Sequence, residues 1–245
     1  MLPMAGGIRV EKEITEQLCK NTIFEGLSPS QVEEILPCIV AAIRTYGSEE
    51  CVIDKGDDVR DLGVVLDGAL SLCEETSDGH RTTVANIEKN QLFGEAVVFA
   101  TKSRLSHRVV ADEKSQVLYL SGDFFLSPCG KDCSSRDAHQ EIMKNMLRLL
   151  SDKAVLLNKK IAYLTAPDLK TKIAMYLCEL YELSQSETFF MPLNRDRLAE
   201  FFAVARPSLS REFVNLKNMG IIDFFRSSVK ILDVPALYEL AVRRE

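Results

Sequence analysis

Arg206, Pro207, Ser208, Ser210, Arg211 and Asn215 fall within ten positions and combine two guanidinium forks, two hydroxyls and a carboxamide. Such groups, held on one face of a rigid element, can form paired hydrogen bonds with nucleic-acid base edges and with phosphate. Chemistry could also sit at Cys129 and Cys133, with His139 close by in sequence. Two thiols at that spacing suit a redox switch or part of a metal site, and they suit equally two ordinary thiols in a loop. His80 and His107 join no ligand cluster, and no complete metal site is expected.

The elements that must position the first group can be read from periodicity. Asn194 is a candidate N-cap, and Leu198, Phe201 and Phe202 follow at i, i+3 and i+4 as the apolar face of a short helix. Leu209, Phe213 and Leu216 recur at i, i+4 and i+7 in a second helix, where Pro207 suits the first turn. At about 100° per residue, Pro207, Ser208, Ser210, Arg211, Val214, Asn215 and Asn218 then point away from the buried face. Two such helices joined by a tight turn form a helix-turn-helix, whose second helix enters the major groove. Ile221 to Phe225 and Val229 to Leu232 read as strands around Arg226-Ser227-Ser228, which makes the unit winged.

Charge supports the same reading. The chain carries a net charge of −6, yet residues 195–230 hold seven Lys/Arg against four Asp/Glu. A locally basic face on an acidic protein argues against a general nucleic-acid binder and for a confined site. Helix pairs of this pattern also pack in all-α domains, so the alternative is a ligand-binding regulatory module that docks a protein partner without reading DNA.

Upstream, Met143, Leu147, Leu150, Ala154, Leu157, Ile161 and Leu164 keep a 4-3 spacing across a long helix over about 137–164. That spacing is the seam of a coiled coil, and the first six residues are the expected homodimer contact. A second stripe, Ile142, Met146, Leu149, Leu156 and Tyr163, is expected to pack on the preceding β-rich part, and Thr165-Ala166-Pro167 ends the helix in a hinge. From about Cys51 to Leu120 the period changes to two, and turns at Lys55-Gly56-Asp57, Asp67-Gly68 and Ser77-Asp78-Gly79 indicate a β-roll or barrel. Ahead of it, Ser28, Pro29 and Gln31 mark the capped start of a helix with Val32, Ile35, Leu36 and Ile39 on its apolar face.

These elements give an α+β chain in three parts: a sensor over 1–136, a dimerisation helix and hinge over 137–166, and a winged helix-turn-helix over 167–245. A length of 245 residues with 46% hydrophobic content supports more than one core. No run approaches the ~18 apolar residues of a membrane span, and Met1 to Gly7 lacks the basic and apolar regions of a signal peptide, so a cytoplasmic protein is expected. Seven scattered cysteines fit reduced thiols. The chain shows no P-loop, dinucleotide fingerprint, nucleophile elbow or HExxH motif, and it is not read as an enzyme.

The order of β-roll, heptad helix and winged helix-turn-helix resembles the Crp/Fnr family of bacterial transcription regulators. So do the motifs Lys55-Gly56-Asp57, Leu66-Asp67-Gly68, Phe93-Gly94-Glu95 and Arg206-Pro207-Ser208-Leu209-Ser210-Arg211. The resemblance implies an N-terminal double-stranded β-helix of cyclic-nucleotide-binding type, with double-stranded DNA, a second copy of the chain and RNA polymerase as partners. It places Arg206, Pro207, Ser210 and Arg211 at base- or phosphate-contacting positions. Many members carry glutamate where this chain has Pro207, which has no acceptor for a cytosine amino group, so a different half-site is expected.

The resemblance also implies an effector pocket at Gly94, Glu95, Arg104 and Ser106. In cyclic-nucleotide-binding members an Arg-Ser pair takes the phosphate, but here Leu105 holds the arginine slot and Arg104 stands one place before it. Adjacent strand residues face opposite sides, so the guanidinium is expected to point away. A small-molecule effector is expected, with cyclic AMP disfavoured. An iron–sulfur cluster is disfavoured because only Cys19 lies in the first thirty residues, and haem because no histidine is marked as a ligand.

Overall fold

The computed structural model describes residues 12–75, 81–101, 104–127 and 133–242. They fall into two compact units, Met1–Asp152 and Lys153–Glu245, divided within the long helix.

The N-terminal unit opens with helix α1 (Lys12–Leu18), a short 3-10 turn (Thr22–Phe24) and helix α2 (Pro29–Ile39). The start of α2 is the capping box expected: Gln31 N–H donates to Ser28 Oγ at 3.3 Å, and Gln31 Oε1 accepts from Ser28 N–H at 2.9 Å. Eight strands follow: β1 (Val40–Tyr46), β2 (Cys51–Ile53), β3 (Asp61–Asp67), β4 (Leu70–Glu75), β5 (Arg81–Ile87), β6 (Leu92–Phe93), β7 (Arg108–Ala111) and β8 (Ser115–Ser121). Helix α3 (Glu95–Val98) lies between β6 and β7, and α4 (Gly122–Leu126) follows β8. The strands pair antiparallel in two four-stranded sheets, ordered β1-β8-β3-β6 and β2-β7-β4-β5, which is the double-stranded β-roll. β1 starts earlier than the expected Cys51, because Val40-Ala41-Ala42-Ile43 is an unbroken apolar run with no period of two. The turn at Ser77-Asp78-Gly79 lies outside the described residues.

Alternation along β3 and β8 builds two cores. Val65, Phe93, Val117 and Tyr119 face the other sheet, whose Leu70 and Val109 join them in one cluster, and the Tyr46 and Tyr119 hydroxyls share a buried hydrogen bond of 2.6 Å. Val64, Leu118 and Leu120 face the helices and meet Ile35, Leu36 and Phe125. Gly68 adopts φ +83° where β3 turns into β4, and a Cβ there would come within 2.7 Å of the Lys114 carbonyl oxygen.

Helix α5 (Arg136–Thr165) spans 30 residues, about 45 Å at 1.5 Å per residue. Ile142 and Met146 are buried against the roll, as expected of the second stripe, with Leu149 partly buried beside them. The rest of that stripe departs from expectation. Leu156 is 57% exposed, and Tyr163 is buried in the C-terminal unit rather than against the roll. Both residues belong to the C-terminal unit, which begins at Lys153, whereas Ile142 and Met146 belong to the N-terminal one.

The C-terminal unit continues with α6 (Leu169–Ser184), β9 (Thr188–Phe190), α7 (Arg195–Phe201), α8 (Arg206–Asn218), β10 (Ile222–Phe225), β11 (Ser228–Ile231) and α9 (Val234–Val242). Its core joins Tyr163, Leu177, Leu198, Phe202, Leu209, Phe213, Leu216 and Leu237. The hairpin turn is Arg226-Ser227, one residue tighter than expected, because Ser228 pairs with Phe225. A third strand, β9, extends the hairpin to a sheet ordered β10-β11-β9.

Candidate nucleic-acid interface

Helix α8 presents the six residues that sequence singles out, and the reason is local. Asn194 caps α7 by accepting the Arg197 N–H at 2.9 Å, and Pro207 stands in the first turn of α8. Leu209, Phe213 and Leu216 are fully buried, each contributing about 1.5–3 kcal/mol of apolar burial, so the helix cannot roll about its axis. Arg206, Pro207, Ser210, Arg211 and Asn215 are exposed and Ser208 is half-buried. The outward groups are lightly tied. Arg211 Nη2 donates to Ser208 Oγ at 3.3 Å, and Asn215 Nδ2 donates to Glu212 Oε1 at 3.0 Å.

The basic balance is narrower in space than in sequence. Arg206 pairs with Asp196 at 3.1 Å, Arg197 with Glu200 at 3.7 Å, and Lys217 with Asp223. Arg211, Arg226 and Lys230 make no ion pair among the described residues. Arg195 is withdrawn altogether: its guanidinium lies 3.2 Å above the Phe213 ring and 5.1 Å from that of Phe224, and both terminal nitrogens are buried without a hydrogen-bond partner. Burial pushes its pKa down to about 10. A periodicity signal for this existed, since Leu198 and Phe202 stand at i+3 and i+7 from Arg195, on the buried stripe.

In the β-roll, Gly94 takes φ +86° as the N-cap of α3, and Glu95 is buried in its first turn. Arg104 is exposed, and its backbone forms an isolated antiparallel β-bridge with that of Asp58. Leu105 packs its side chain into both apolar clusters of the roll. Ser106 is exposed, its hydroxyl 2.7 Å from His107 Nδ1. The residues therefore do not fit a cyclic phosphate: an apolar side chain fills the inward slot and the neighbouring guanidinium faces out.

Of the cysteine pair, Cys129 lies outside the described residues. Cys133 is a half-buried free thiol beside Cys38, whose pKa is raised by desolvation first and by Cys133 second. Along the heptad stripe, Met143 and Leu150 are partly covered by the roll, whereas Leu147 (64%), Leu157 (60%) and Ile161 (57%) are exposed and Ala154 is exposed with them.

Two family models match the chain, a cyclic nucleotide-binding domain at residues 43–132 and a Crp-like helix-turn-helix domain at residues 171–240, in that order on either side of α5. The chain belongs to the Crp/Fnr family of transcription regulators. Transcriptional regulator LdrP of Thermus thermophilus is 21% identical over 199 residues, covering 80% of this chain and 94% of that protein. Glutaminase 1 of Bradyrhizobium diazoefficiens is 27% identical over 156 residues, 62% of this chain, and the chain spans only 23% of that protein's length. The catabolite activator protein of Thermus thermophilus is similar in structure, at 21% identity, with 90% of this chain and 98% of that one covered and a TM-score of 0.45. This Crp/Fnr-family chain contains no helix long and apolar enough to cross a membrane among its described residues.

Proposed function

We propose that this Crp/Fnr-family protein is an effector-controlled, sequence-specific regulator that acts as a homodimer on a near-palindromic site. The observation that carries the reading is α8: its apolar face is fully buried and its opposite face exposes Ser210, Arg211 and Asn215, with no ion pair on Arg211 among the described residues. A guanidinium held that way can take guanine O6 and N7 as a pair, while Arg206 at the helix start serves phosphate. Dimerisation is supported by the bare apolar run of Leu147, Leu157 and Ile161, widened by Leu156.

Control follows from linkage. An effector that prefers one arrangement of the sensor, 1–136, and the helix, 137–166, shifts the population in which two copies of 167–245 present α8 about 34 Å apart, as successive major grooves require. Leu105 in place of a guanidinium favours an effector other than a cyclic nucleotide. Selection of bound duplexes from a random library, by wild type and by Arg211→Ala, tests the reading. A two-fold motif that loses one position in each half in the variant supports it. No motif under any condition returns the helix pair to the role of protein docking.

A further inference from the structure

The wing carries a feature that α8 alone does not account for. In the sheet β10-β11-β9, Phe225 pairs with Ser228 and Ser228 pairs with Phe190, so the three residues form one row across the outer face at the hairpin end. Phe225 is 74% exposed and Phe190 79%. The inner face of the same sheet, Ile222, Val229 and Ile231, is buried in the core, so the outward aromatics are not left over from a core that failed to close. Between the strands, Arg226 takes φ +54°, a conformation unfavourable for a long L side chain, and holds its guanidinium 5.4 Å from the Phe225 ring.

The path of the chain shows where this tip lies relative to α8. The chain reverses at Gly220, which has φ +74°. Asp223 then pairs with Lys217 in the last turn of α8, and the next residue, Phe224, meets Phe213 one helical turn nearer the N-terminus, with ring centroids 5.9 Å apart. β10 thus runs back along α8, and Phe225 and Arg226 continue toward the half of the helix that carries Ser210 and Arg211. Charge agrees: Lys217 neutralises Asp223, while Arg226 and Lys230 stay without ion pairs among the described residues.

We propose that the wing tip reads the minor groove flanking the half-site, with Arg226 in the groove and Phe225 and Phe190 against the sugar edges beside it. This rests on α8 reading DNA in the adjacent major groove. The flank lies about half a helical turn, roughly 5 bp, from the half-site centre. A narrow A·T-rich groove concentrates negative potential and lacks the guanine 2-amino group that would obstruct the arginine, so the tip prefers A·T flanks.

Full-length protein titrated into duplexes that share the selected half-sites and differ in the flanks, A·T, G·C or inosine·C, tests this by fluorescence anisotropy. Inosine·C keeps the major-groove edge of G·C and removes the minor-groove amino group. Wild type is expected to bind the A·T and inosine·C flanks roughly fivefold more tightly than G·C. Arg226→Gly, which relieves the positive φ and so folds at least as well, is expected to erase that difference while the half-site motif survives. Phe225→Ser is expected to weaken binding about threefold on every flank, as contact area is lost without a change in readout. Inosine·C behaving as G·C, or a flank preference that persists in Arg226→Gly, overturns the proposal. An Arg211-dependent motif with no flank effect in any protein overturns the wing assignment alone and gives the aromatic row to a protein partner. Absence of any motif overturns the reading of α8 and this inference with it.

Discussion

Helices α8 and α5 are both amphipathic, and they leave opposite things uncovered. α8 buries Leu209, Phe213 and Leu216 completely and exposes serine, arginine and asparagine. α5 buries Ile142 and Met146 and then, beyond Asp152, exposes Leu156, Leu157 and Ile161. A helix whose uncovered face is polar needs no partner in water and can wait for a polyanion. One that leaves a leucine and isoleucine stripe bare loses about 25 cal/mol for every Å² of apolar surface left in contact with water, so its stable state covers that stripe. On the function proposed above, the contrast gives recognition to one helix and assembly to the other.

The comparison breaks first, and hardest, at α5. Leu157→Lys with Ile161→Lys places two like charges per chain in the proposed seam, at positions more than half exposed in the chain by itself. Monomers are expected by light scattering, and affinity for a two-half-site duplex is expected to fall by about a hundredfold or more, since the second half-site no longer gains from effective concentration. A dimer that survives both changes removes the assembly role from this stripe. At α8 the expected effect is narrower. Arg211→Ala should cost about 1–3 kcal/mol of discrimination at one position of each half-site, with oligomeric state unchanged. An unaltered selected motif would refute Arg211 as the base reader.

The same contrast governs how far the residues alone could lead. Features fixed within one helical turn were legible: the caps at Ser28 and Asn194, the proline in the first turn of α8 and the buried triplets that orient both short helices all stand where spacing puts them. Features fixed by partners far along the chain were not. Strand β9 exists because β11 supplies its hydrogen bonds some forty residues later, and nothing in Thr188-Phe189-Phe190 announces that. Leu156 and Tyr163 fit a stripe by period, but period does not say that the C-terminal unit begins at Lys153 and that its own core takes Tyr163. Counting charges overstated the basic face, because Arg206 and Lys217 meet carboxylates that only the folded helices and wing bring near. In the sensor, the inward turn of Leu105 followed from strand alternation, whereas the pairing of Arg104 with Asp58 did not.

Arg195 sharpens the comparison from inside the reading unit. Its charge is counted as basic surface by sequence, yet it lies over the Phe213 ring and beside Phe224, with its terminal nitrogens unpaired among the described residues. With the folded pKa lowered by burial to about 10, the unfolded chain binds the proton more strongly. The cost of holding the charge is therefore fully present at neutral pH and is relieved only as pH rises through 10. Arg195→Met keeps the length and removes the charge, and denaturant titration should show stability equal to wild type or higher by about 1 kcal/mol. Arg195→Ala leaves a void over Phe213 and should instead be destabilised by about 1–3 kcal/mol. A large loss in the methionine variant would mean that the cation over the ring outweighs its desolvation.

The smallest effect belongs to Arg206, and its sign is the informative part. The Arg206–Asp196 pair is 62% exposed on both sides, where such a pair is worth about 0–1 kcal/mol, so the guanidinium can leave the carboxylate for a phosphate at little cost. Arg206→Ala should weaken binding about threefold on all sequences and reduce the slope of log affinity against log salt by about 1, the signature of one lost phosphate contact. Asp196→Ala should act in the opposite direction, tightening binding about twofold on every sequence, because it frees Arg206 and removes a negative charge beside the DNA. Both variants should keep the selected motif of wild type. If Asp196→Ala weakens binding instead, the pair is holding Arg206 in the pose that contact requires, and the two helices α7 and α8 share the phosphate site rather than compete for its arginine.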